Sequence, residues 1–265
     1  MTSSEDTLWT RYNRVEARKR FIAKLVFTMV VVWAAISVDI YWPFTLDAPE
    51  QAADLLERMT PPAWGYFDNI LAPMLETINI ATLSTILATI IAVPVAIINA
   101  TNTSPNKITL AIARFIVVTS RSVNELVWGL IFVVFFGPGA LAGVAALTCR
   151  SIGFTAKLIS EGIEEIDPGQ VEAIQATGAS RAKVFIYGIL PQIMPTIFGT
   201  AVFRWDINIR QSSVIGLVGA GGIGVALSNS MDMFRWDYVS MILIAIFLVV
   251  LASETVSATL RNKVS

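Results

Sequence analysis

Three glycines toward the C-terminal end of the sequence have the spacing of a phosphate-binding turn. Gly219, Gly221 and Gly224 follow an apolar run in VIGLVGAGGIGVAL, and Asp237 lies at about the distance expected of an acid that binds a ribose. A dinucleotide site also requires a strand before the glycines and a second strand within roughly 30 residues. The flanking segments are membrane-helical in character, so this chemistry is excluded and the glycines need another explanation.

A second group of residues with chemical potential consists of charged side chains inside apolar segments. Charges at membrane depth are costly and face either a partner or a water-filled cavity. Arg121 and Glu125 are four residues apart and are expected to pair on one helical face, whereas Arg150 and Arg204 have no obvious acid nearby in sequence. A guanidinium group matches the geometry of an oxyanion, so structural pairing and contact with a moving anion both stay open.

Further polar residues belong to the same group. Asp206 and Arg210 are also four residues apart and are expected to pair. Ser122 and Asn124 lie in SRSVNE (120–125), which interrupts an apolar run, and they are candidates to line a polar pathway. The candidate pathway residues are therefore Arg121, Ser122, Asn124, Glu125, Arg150, Arg204 and Arg210.

The composition places the chain in a membrane. Of its 265 residues, 55% are hydrophobic and 15% are charged, and the mean hydropathy is +0.66. Soluble domains carry about 25% charged residues. The net charge of −1 provides no field for nucleic acid. Because histidine is absent and Cys149 is the single cysteine, we expect no intramolecular disulfide, no metal site and no His-dependent membrane enzyme.

The apolar segments predict an all-α integral membrane protein with about six transmembrane helices, because one such helix needs about 20 apolar residues. The predicted spans are 21–40, 75–99, 108–136, 141–160, a fifth that begins after Pro191, and 238–258, with the boundaries in 199–237 left open. Basic clusters favour cytoplasmic positions for both termini. The predicted segments are a basic cytoplasmic N-terminus (1–20), an anchor helix (21–40), an external loop (41–74) and a transmembrane domain (75–265) that includes a cytoplasmic loop (161–191).

The predicted cytoplasmic loop has the signals of two short helices joined at a corner. Asp167 and Pro168 form a typical helix start, with Asp as the N-cap and Pro at the first position. Gly178 supplies a turn, after which Ser180 begins a second helix that leads to Pro191. Such a unit can lie at the membrane face and offer its corner to another protein, although an ordinary solvated loop would have the same topology.

Sequence detail in this loop resembles the EAA loop of ABC-transporter permeases. Glu172-Ala173 is followed by Gly178 and then by Leu190-Pro191, which are the most diagnostic positions of that loop. From about residue 75 to the C-terminus, SRSVNELVWGLIFVVFFGPGALAGVAAL and FRWDINIRQSSVIGLVGAGGIG are similar to the permeases of phosphonate-type importers. The chain departs from the family pattern with Ile174 for a small residue, Gly188 where Ile is common, Asn124 for Pro and Arg150 where many members have His.

The resemblance implies a five-helix importer core with a methionine-importer-like fold, one additional N-terminal helix, and a location in a bacterial inner membrane. It implies a homodimer that assembles with two ABC ATPase subunits and an external binding protein. The sequence contains no G-x-x-x-x-G-K-[ST] motif, so ATP and Mg are expected on the ATPase partner, and this chain is expected to be neither an enzyme nor a carrier of a cofactor. The implied coupling residues are Glu172, Ala173, Thr177, Gly178, Ala179 and Ser180.

The resemblance also gives the glycine-rich segment a place near the outer mouth of the pathway. Its implied gate residues are Ser212, Ser213, Gly219, Gly221, Gly222 and Gly224. Tight helix packing without a gating role is the alternative, because small residues let backbones approach closely in a bilayer. The implied cargo is a phosphonate or a related phosphorus oxyanion. The alternatives left open are an importer for phosphate, phosphite or methionine, and a self-contained secondary transporter.

Overall fold

The computed structural model of the protein describes residues 14–38 and 42–264, and these residues form helices joined by turns. The helices are α1 (Arg14–Ser37), α2 (Trp42–Arg58), α3 (Phe67–Asn99), α4 (Lys107–Ser122), α5 (Glu125–Phe136), α6 (Ala140–Glu164), α7 (Pro168–Ala176), α8 (Arg181–Val184), α9 (Leu190–Ile215), α10 (Ile223–Asp232) and α11 (Trp236–Val264). No strand occurs among the described residues, so the all-α prediction is confirmed.

The number of membrane-crossing helices agrees with the prediction of about six. Five segments are long and apolar enough to cross a membrane: Val15–Ser37, Trp64–Asn99, Ala140–Glu164, Arg181–Val218 and Trp236–Arg261. The helices α4 and α5 qualify only together, as a broken span that brings the number to six or as a re-entrant loop, and the pair bends by 94° at its break. The break falls in the SRSVNE segment, where the sequence predicts an interruption.

The N-terminal part of the chain is a unit of its own, which extends to Leu55. Helix α1 covers most of the predicted anchor, whereas residues 1–13 and 39–41 lie outside the described residues. The segment 41–74, predicted as an external loop, is instead helical over Trp42–Arg58. Helix α3 begins at Phe67, eight residues before the predicted start of the second span, and Pro73 lies inside it. A proline is tolerated there because neighbouring helices and Ser/Thr side chains satisfy the freed backbone groups.

Helix α6 is the centre of the second unit, and it contacts α3, α4, α5 and α9. Its buried residues are mostly small, as helix association in lipid requires. At Gly153 a Cβ atom would lie 2.6 Å from the carbonyl oxygen of Val117 in α4. At Gly143 it would overlap the carbonyl oxygen of Ala220. Both glycines therefore allow a backbone of another segment to approach α6 at a distance that no other residue permits.

The turn between α3 and α4 is fixed against the C-terminal end of α6. The amide nitrogen of Asn99 donates to Ser160 Oγ at 2.7 Å, and that of Asn102 donates to the carbonyl oxygen of Ile163 at 2.6 Å. The backbone N–H of Thr101 donates to Glu164 Oε1 at 2.8 Å. These bonds place the start of α4 beside the end of α6, so the two helices run antiparallel.

The packing of α6 leads to a prediction for a matched pair of helical glycines. Gly143→Ala should lower the free energy of unfolding by about 1–3 kcal/mol, the usual cost of overpacking, because its Cβ meets a backbone oxygen. Gly199→Ala, in α9, has no atom within 4 Å of the added Cβ and should be neutral or stabilising by up to about 1 kcal/mol. Thermal aggregation of the detergent-solubilised protein measures both; equal effects of the two substitutions would contradict the packing role of Gly143.

Candidate functional site

The loop predicted to couple to a partner forms a short helix with a fixed attachment. The side chain of Asp167 accepts a hydrogen bond from Gly169 N at 2.9 Å and caps α7, with Pro168 at its first position. The backbone N–H of Asp167 donates to Gln192 Oε1 at 3.0 Å. The amide nitrogen of Gln192 donates in turn to the carbonyl oxygen of Gly188 at 2.7 Å. Helix α7 is thereby held to the first turn of α9.

The corner after α7 has the geometry that its glycine predicts. Gly178 has a φ of +76°, which is in the left-handed region, and its N–H donates to the carbonyl oxygen of Gln175 at 3.0 Å. Thr177 Oγ1 donates to the carbonyl oxygen of Ile174 at 2.7 Å. Helix α8 then begins after Ser180. Of the predicted coupling residues, Ala179 is half-buried, and the exposed ones are Glu172, Ala173, Thr177, Gly178 and Ser180.

Two departures from the family pattern in this loop contact each other. Gly188 lies in a π-helical turn (Phe185–Ile189) between α8 and α9 and is buried. A Cβ atom at Gly188 would lie 3.3 Å from Ile174 Cδ1 and 3.5 Å from Val171 Cα. Ile174 therefore occupies the space that a side chain at position 188 would fill. We infer that the large residue at 174 and the glycine at 188 compensate for each other.

A polar cluster lies where α5, α6 and α9 meet, halfway along α9. Arg204 is 3% exposed. Its Nε donates to Ser151 Oγ at 2.8 Å, and its Nη2 donates to Gln211 Oε1 at 2.9 Å. Arg150, the neighbour of Ser151 on α6, has its Nε 3.7 Å from Glu125 Oε2. Arg150 and Glu125 are also the charged groups whose fields reach Arg204. The cluster thus contains two guanidinium groups and one carboxylate.

The cluster continues into α3 through uncharged side chains. Ser151 Oγ donates to Asn208 Oδ1 at 3.1 Å, and Asn208 Nδ2 donates to Thr85 Oγ1 at 2.9 Å. Ser151, Asn208 and Gln211 were not among the residues predicted from the sequence. The spacing of Arg204, Asn208 and Gln211 at i, i+4 and i+7 places them on one face of α9 and was the available signal.

The predicted pair of Arg121 with Glu125 is not formed, because the helix ends between them. Asn124 has an extended backbone, and its side-chain oxygen accepts from Leu126 N at 2.9 Å as the N-cap of α5. Glu125 consequently begins a new helix and faces Arg150 instead. Ser122 Oγ donates to the carbonyl oxygen of Val118 at 2.6 Å, within α4. The family's Pro and the Asn124 of this chain both suit a helix start, so this departure preserves the break.

The second predicted pair is present but lies outside the cluster. Arg210 Nη2 contacts the carboxylate of Asp206, which is buried. Ser253 Oγ of α11 donates to the other oxygen of Asp206 at 2.8 Å. This group joins α9 to α11, so the structure gives Arg210 a structural partner and separates it from Arg204.

The glycine-rich segment is an irregular connection packed against α3 and α6, and α9 precedes it instead of a strand. Gly219, Gly221 and Gly222 have φ values of 86°, 83° and 73°. Gly222, the N-cap of α10, has no side chain to cap that helix; Thr77 Oγ1 of α3 accepts from Ile223 N at 2.8 Å instead. The exclusion of a dinucleotide site therefore agrees with the structure.

The other predicted gate residues are equally enclosed. Ser212 Oγ donates to the carbonyl oxygen of Thr77 at 3.2 Å, and Ser213 Oγ donates to that of Ile209 at 3.3 Å. A Cβ atom on Gly224 would lie 2.7 Å from the Cα of Gly216. Beside this segment is a cavity of about 430 Å³, whose polar lining includes Glu76 of α3. The glycine-rich segment follows the last residue of α9, whereas α7 is attached at the first turn of that helix. The 26 residues of α9 separate the two ends by about 39 Å, at 1.5 Å per residue.

These features together define a membrane-embedded permease: an all-helical bundle with an exposed corner at one end, a polar cluster inside and an irregular segment at the other end. Residues 92–260 match the family model described as binding-protein-dependent transport system inner membrane component. The chain belongs to this family. A self-contained secondary transporter is therefore set aside.

Comparison with known proteins agrees with this assignment. The chain is 36% identical to the phosphite transport system permease protein PtxC of Stutzerimonas stutzeri over 210 residues, which cover 79% of this chain and 76% of that protein. It is 33% identical to the phosphate-import permease protein PhnE of Mycolicibacterium smegmatis over 240 residues, or 90% of this chain and 45% of that protein. Its fold is similar to a chain of the MetNI methionine ABC transporter in inward-facing conformation, with a TM-score of 0.65, 20% identity, and coverage of 77% of this chain and 99% of that one.

The contact between Ile174 and Gly188 generates a prediction about the anchoring of α7. Gly188→Ile should push α7 off its attachment, because the new side chain needs the space of Ile174, and should raise amide hydrogen exchange in α7 at least about tenfold, or ~1.4 kcal/mol. The double variant with Ile174→Ala should recover most of that protection. Additive effects of the two substitutions would show that they do not compensate for each other.

Proposed function

We propose that this permease carries a phosphorus oxyanion, such as phosphite, phosphate or a phosphonate, in an ATP-driven importer. The observation that carries the cargo assignment is the sequence identity with permeases named for phosphite and phosphate over most of the chain. The arginine cluster supports the same cargo chemically. A guanidinium group presents its N–H donors in a planar fork that suits the oxygens of such an anion.

The cluster has the properties of a low-affinity, transient binding site for the anion. Arg204 already uses Nε and Nη2 for Ser151 and Gln211, which fixes the orientation of its remaining donors. Arg150 Nε is buried without a hydrogen bond, at 3.7 Å from Glu125. The cluster of two guanidinium groups and one carboxylate has a net positive charge. The carboxylate limits how strongly that charge attracts an anion. An anion can therefore enter and also leave, as transport requires. Ser122 and Asn124 at the helix break are proposed as further polar groups along the pathway.

The proposed partners are a second copy of the permease, two ABC ATPase subunits and an external binding protein. ATP and Mg would be bound by the ATPase, because this chain contains no P-loop motif. The ATPase would bind the exposed corner formed by Glu172, Ala173, Thr177, Gly178, Ala179 and Ser180. The α7 end would then lie on the cytoplasmic side of the inner membrane, and both termini of the chain would lie on that side as well.

Helix α9 supplies a mechanism for coupling. Its first turn holds α7 through Gln192, its middle carries Arg204, and its end continues into the glycine-rich segment. ATP-driven closure of the ATPase subunits would move α7, and α9 would transmit that movement past the arginine cluster to the opposite end. The permease is thus the two-state element, and ATP supplies the difference in free energy between its states.

The glycine-rich segment is proposed as the outer gate. The gate residues are Ser212, Ser213, Gly219, Gly221, Gly222 and Gly224. Irregular backbone in a membrane protein is tolerated where it is buried in protein or lines a cavity, and the cavity beside Glu76 meets that condition. The hydrogen bond between Thr77 and Ile223 and the packing of Ile223 on Ile70 hold the start of α10 to α3, so opening of the gate would have to break both contacts.

The corner at Gly178 provides a test of the ATPase partner. Gly178→Val should abolish co-purification of the ATPase, because a β-branched residue is strained at a φ of +76° and the corner must change shape. Gly178→Asn should retain most of it, since Asn tolerates the left-handed region. Both variants are purified in mild detergent and compared with the unsubstituted protein for the amount of bound ATPase. If both variants retain the bound ATPase, the ATPase binds at a site other than this corner.

Substitution of Arg204 tests the cargo chemistry. Arg204→Gln should lower ATP-driven uptake of phosphite into proteoliposomes at least about tenfold, because the anion loses a charged donor. Arg204→Lys should restore the charge but recover only part of the rate, since an ammonium group lacks the planar fork. Thermal stability of each variant controls for folding. Equal uptake by Arg204→Gln and the unsubstituted transporter, or uptake of methionine in place of phosphite, would contradict the proposal.

A further inference from the structure

Helix α4 carries three basic side chains on one side and has no acidic residue. Lys107, Arg114 and Arg121 are each seven residues apart, which is nearly two helical turns. Seven residues correspond to about 10.5 Å along the axis, so the three charges form a line about 21 Å long. All three are exposed in the single chain. We call Lys107, Arg114 and Arg121 the basic stripe.

The basic stripe lies between two different faces of α4. On one flank, Ala113, Val117 and Ser120 are buried against the neighbouring helices. On the opposite flank, the exposed residues Ile108, Ile112 and Phe115 are large and apolar, as a surface in contact with lipid must be. A charged group exposed to the hydrocarbon would be costly. The stripe therefore needs water or a ligand, whereas its apolar neighbour does not.

Within the described part of the chain, no hydrogen bond or ion pair is formed by the side chains of the basic stripe. Glu164 at the end of α6 lies within electrostatic reach of Arg114, and its carboxylate already accepts the N–H of Thr101. The positive charge of the stripe is thus not neutralised by an ion pair within the described residues. This distinguishes it from Arg210, which has a buried carboxylate as a partner.

The two ends of the basic stripe connect places already described. At its upper end, Ser120 Oγ of α4 contacts the carbonyl oxygen of Cys149, the residue before Arg150 of the arginine cluster. At its lower end, Lys107 follows the turn whose Thr101 and Asn102 are bonded to the end of α6. The stripe therefore runs from the neighbourhood of the arginine cluster to the end of the molecule that carries α7.

We propose that the basic stripe lines the half of the translocation pathway between the arginine cluster and the α7 end, and that it guides the anionic cargo out of the protein. This inference rests on the proposed function for the anionic cargo, for the arginine cluster as part of the pathway and for the cytoplasmic position of the α7 end. The spacing of about 10.5 Å between neighbouring charges is close to the Debye length at physiological salt, about 8 Å. An anion beside one charge is therefore still attracted by the next, and no single charge binds it tightly. A path lined by one sign of charge between low-dielectric walls also raises the local concentration of counter-ions.

Two neighbouring residues on α4 give a test that does not depend on the identity of the cargo. Ala111 is exposed and borders the stripe, four residues after Lys107 and three before Arg114, whereas Ile112 is on the apolar flank. Each is replaced by cysteine in a full-length Cys149→Ala background, in inside-out membrane vesicles without nucleotide. A negatively charged and a positively charged methanethiosulfonate reagent then report the rate of thiol modification.

The Ala111→Cys thiol should react roughly tenfold faster with the anionic reagent than with the cationic one, the lower end of the range for electrostatic focusing. Adding Arg114→Gln should reduce that ratio about threefold or more, and adding Arg114→Lys should leave it nearly unchanged. Ile112→Cys should react slowly with both reagents. Absence of reaction at Ala111→Cys, or a ratio that Arg114→Gln does not change, would overturn the proposal.

Lipid headgroups are a second source of anionic groups for the stripe, and the same vesicles distinguish them from an aqueous path. If the basic stripe binds lipid, the ratio at Ala111→Cys should depend on the fraction of anionic lipid after reconstitution, and this result would also overturn the proposal. Uptake of phosphite is measured separately with the complete transporter. If phosphite is not taken up but the reagent ratio at Ala111→Cys is as expected, the cargo assignment is contradicted and the anion path is supported. If phosphite is taken up but the expected ratio is absent, only the proposal for the basic stripe is contradicted.

Discussion

Close approach of helix backbones along α6 is the constraint on which the second unit depends. In lipid there is no hydrophobic gain when two apolar helices meet, so association relies on packing and on polar contacts between helices. Glycines at 143 and 153 allow other segments to reach the backbone of α6. Because α6 contacts α3, α4, α5 and α9, its own orientation decides which residues face the interior. Arg150 and Ser151 are brought to Glu125 and Arg204 in this way.

Two irregular backbone segments adjoin the interior of the helix bundle, and in each a side chain satisfies the start of the following helix. Both α4 and α5 contact α6, whereas Ser122 and Asn124 at the break between them are exposed in the single chain. The side chain of Asn124 accepts the N–H of Leu126 and so caps α5. The glycine-rich segment is covered by α3 and α6, and Thr77 caps α10 from another helix. Both irregularities lie next to features proposed for transport: the first adjoins the arginine cluster, and the second adjoins the cavity at Glu76. The helix bundle thus supplies rigidity around two points where the backbone can change direction.

Three departures from the family pattern, at positions 150, 174 and 188, have different physical meanings. Ile174 and Gly188 contact each other, so the exchange of large and small residues preserves the packing of α7 on the π-helical turn. Arg150 instead changes the chemistry of the interior, because it places a second permanent positive charge near Arg204. A histidine at that position would be neutral at most physiological pH values. The Ile174–Gly188 contact concerns how α7 is held, and Arg150 concerns the charge of the interior.

The sequence by itself determined the features that arise within one or two helical turns. Its composition placed the chain in a membrane, its apolar runs located the spans, and Asp167, Pro168 and Gly178 specified the start of α7 and the corner after it. The SRSVNE segment showed where a helix would break, but not the angle of 94° that separates Glu125 from Arg121. The segment 41–74 suggested a loop because of its acidic residues and prolines, although the apolar residues within Trp42–Arg58 recur with a helical period.

Only the tertiary structure decided which distant residues meet. Glu125 faces Arg150, Arg204 bonds Ser151, and Thr77 caps a helix that begins 146 residues later. The physical reason is that local signals such as caps and turns depend on neighbouring residues alone, whereas a partner across the bundle depends on the rotation and depth of two whole helices. Those two quantities are set by the small residues at which the backbones touch, and no single stretch of sequence contains both sides of such a contact.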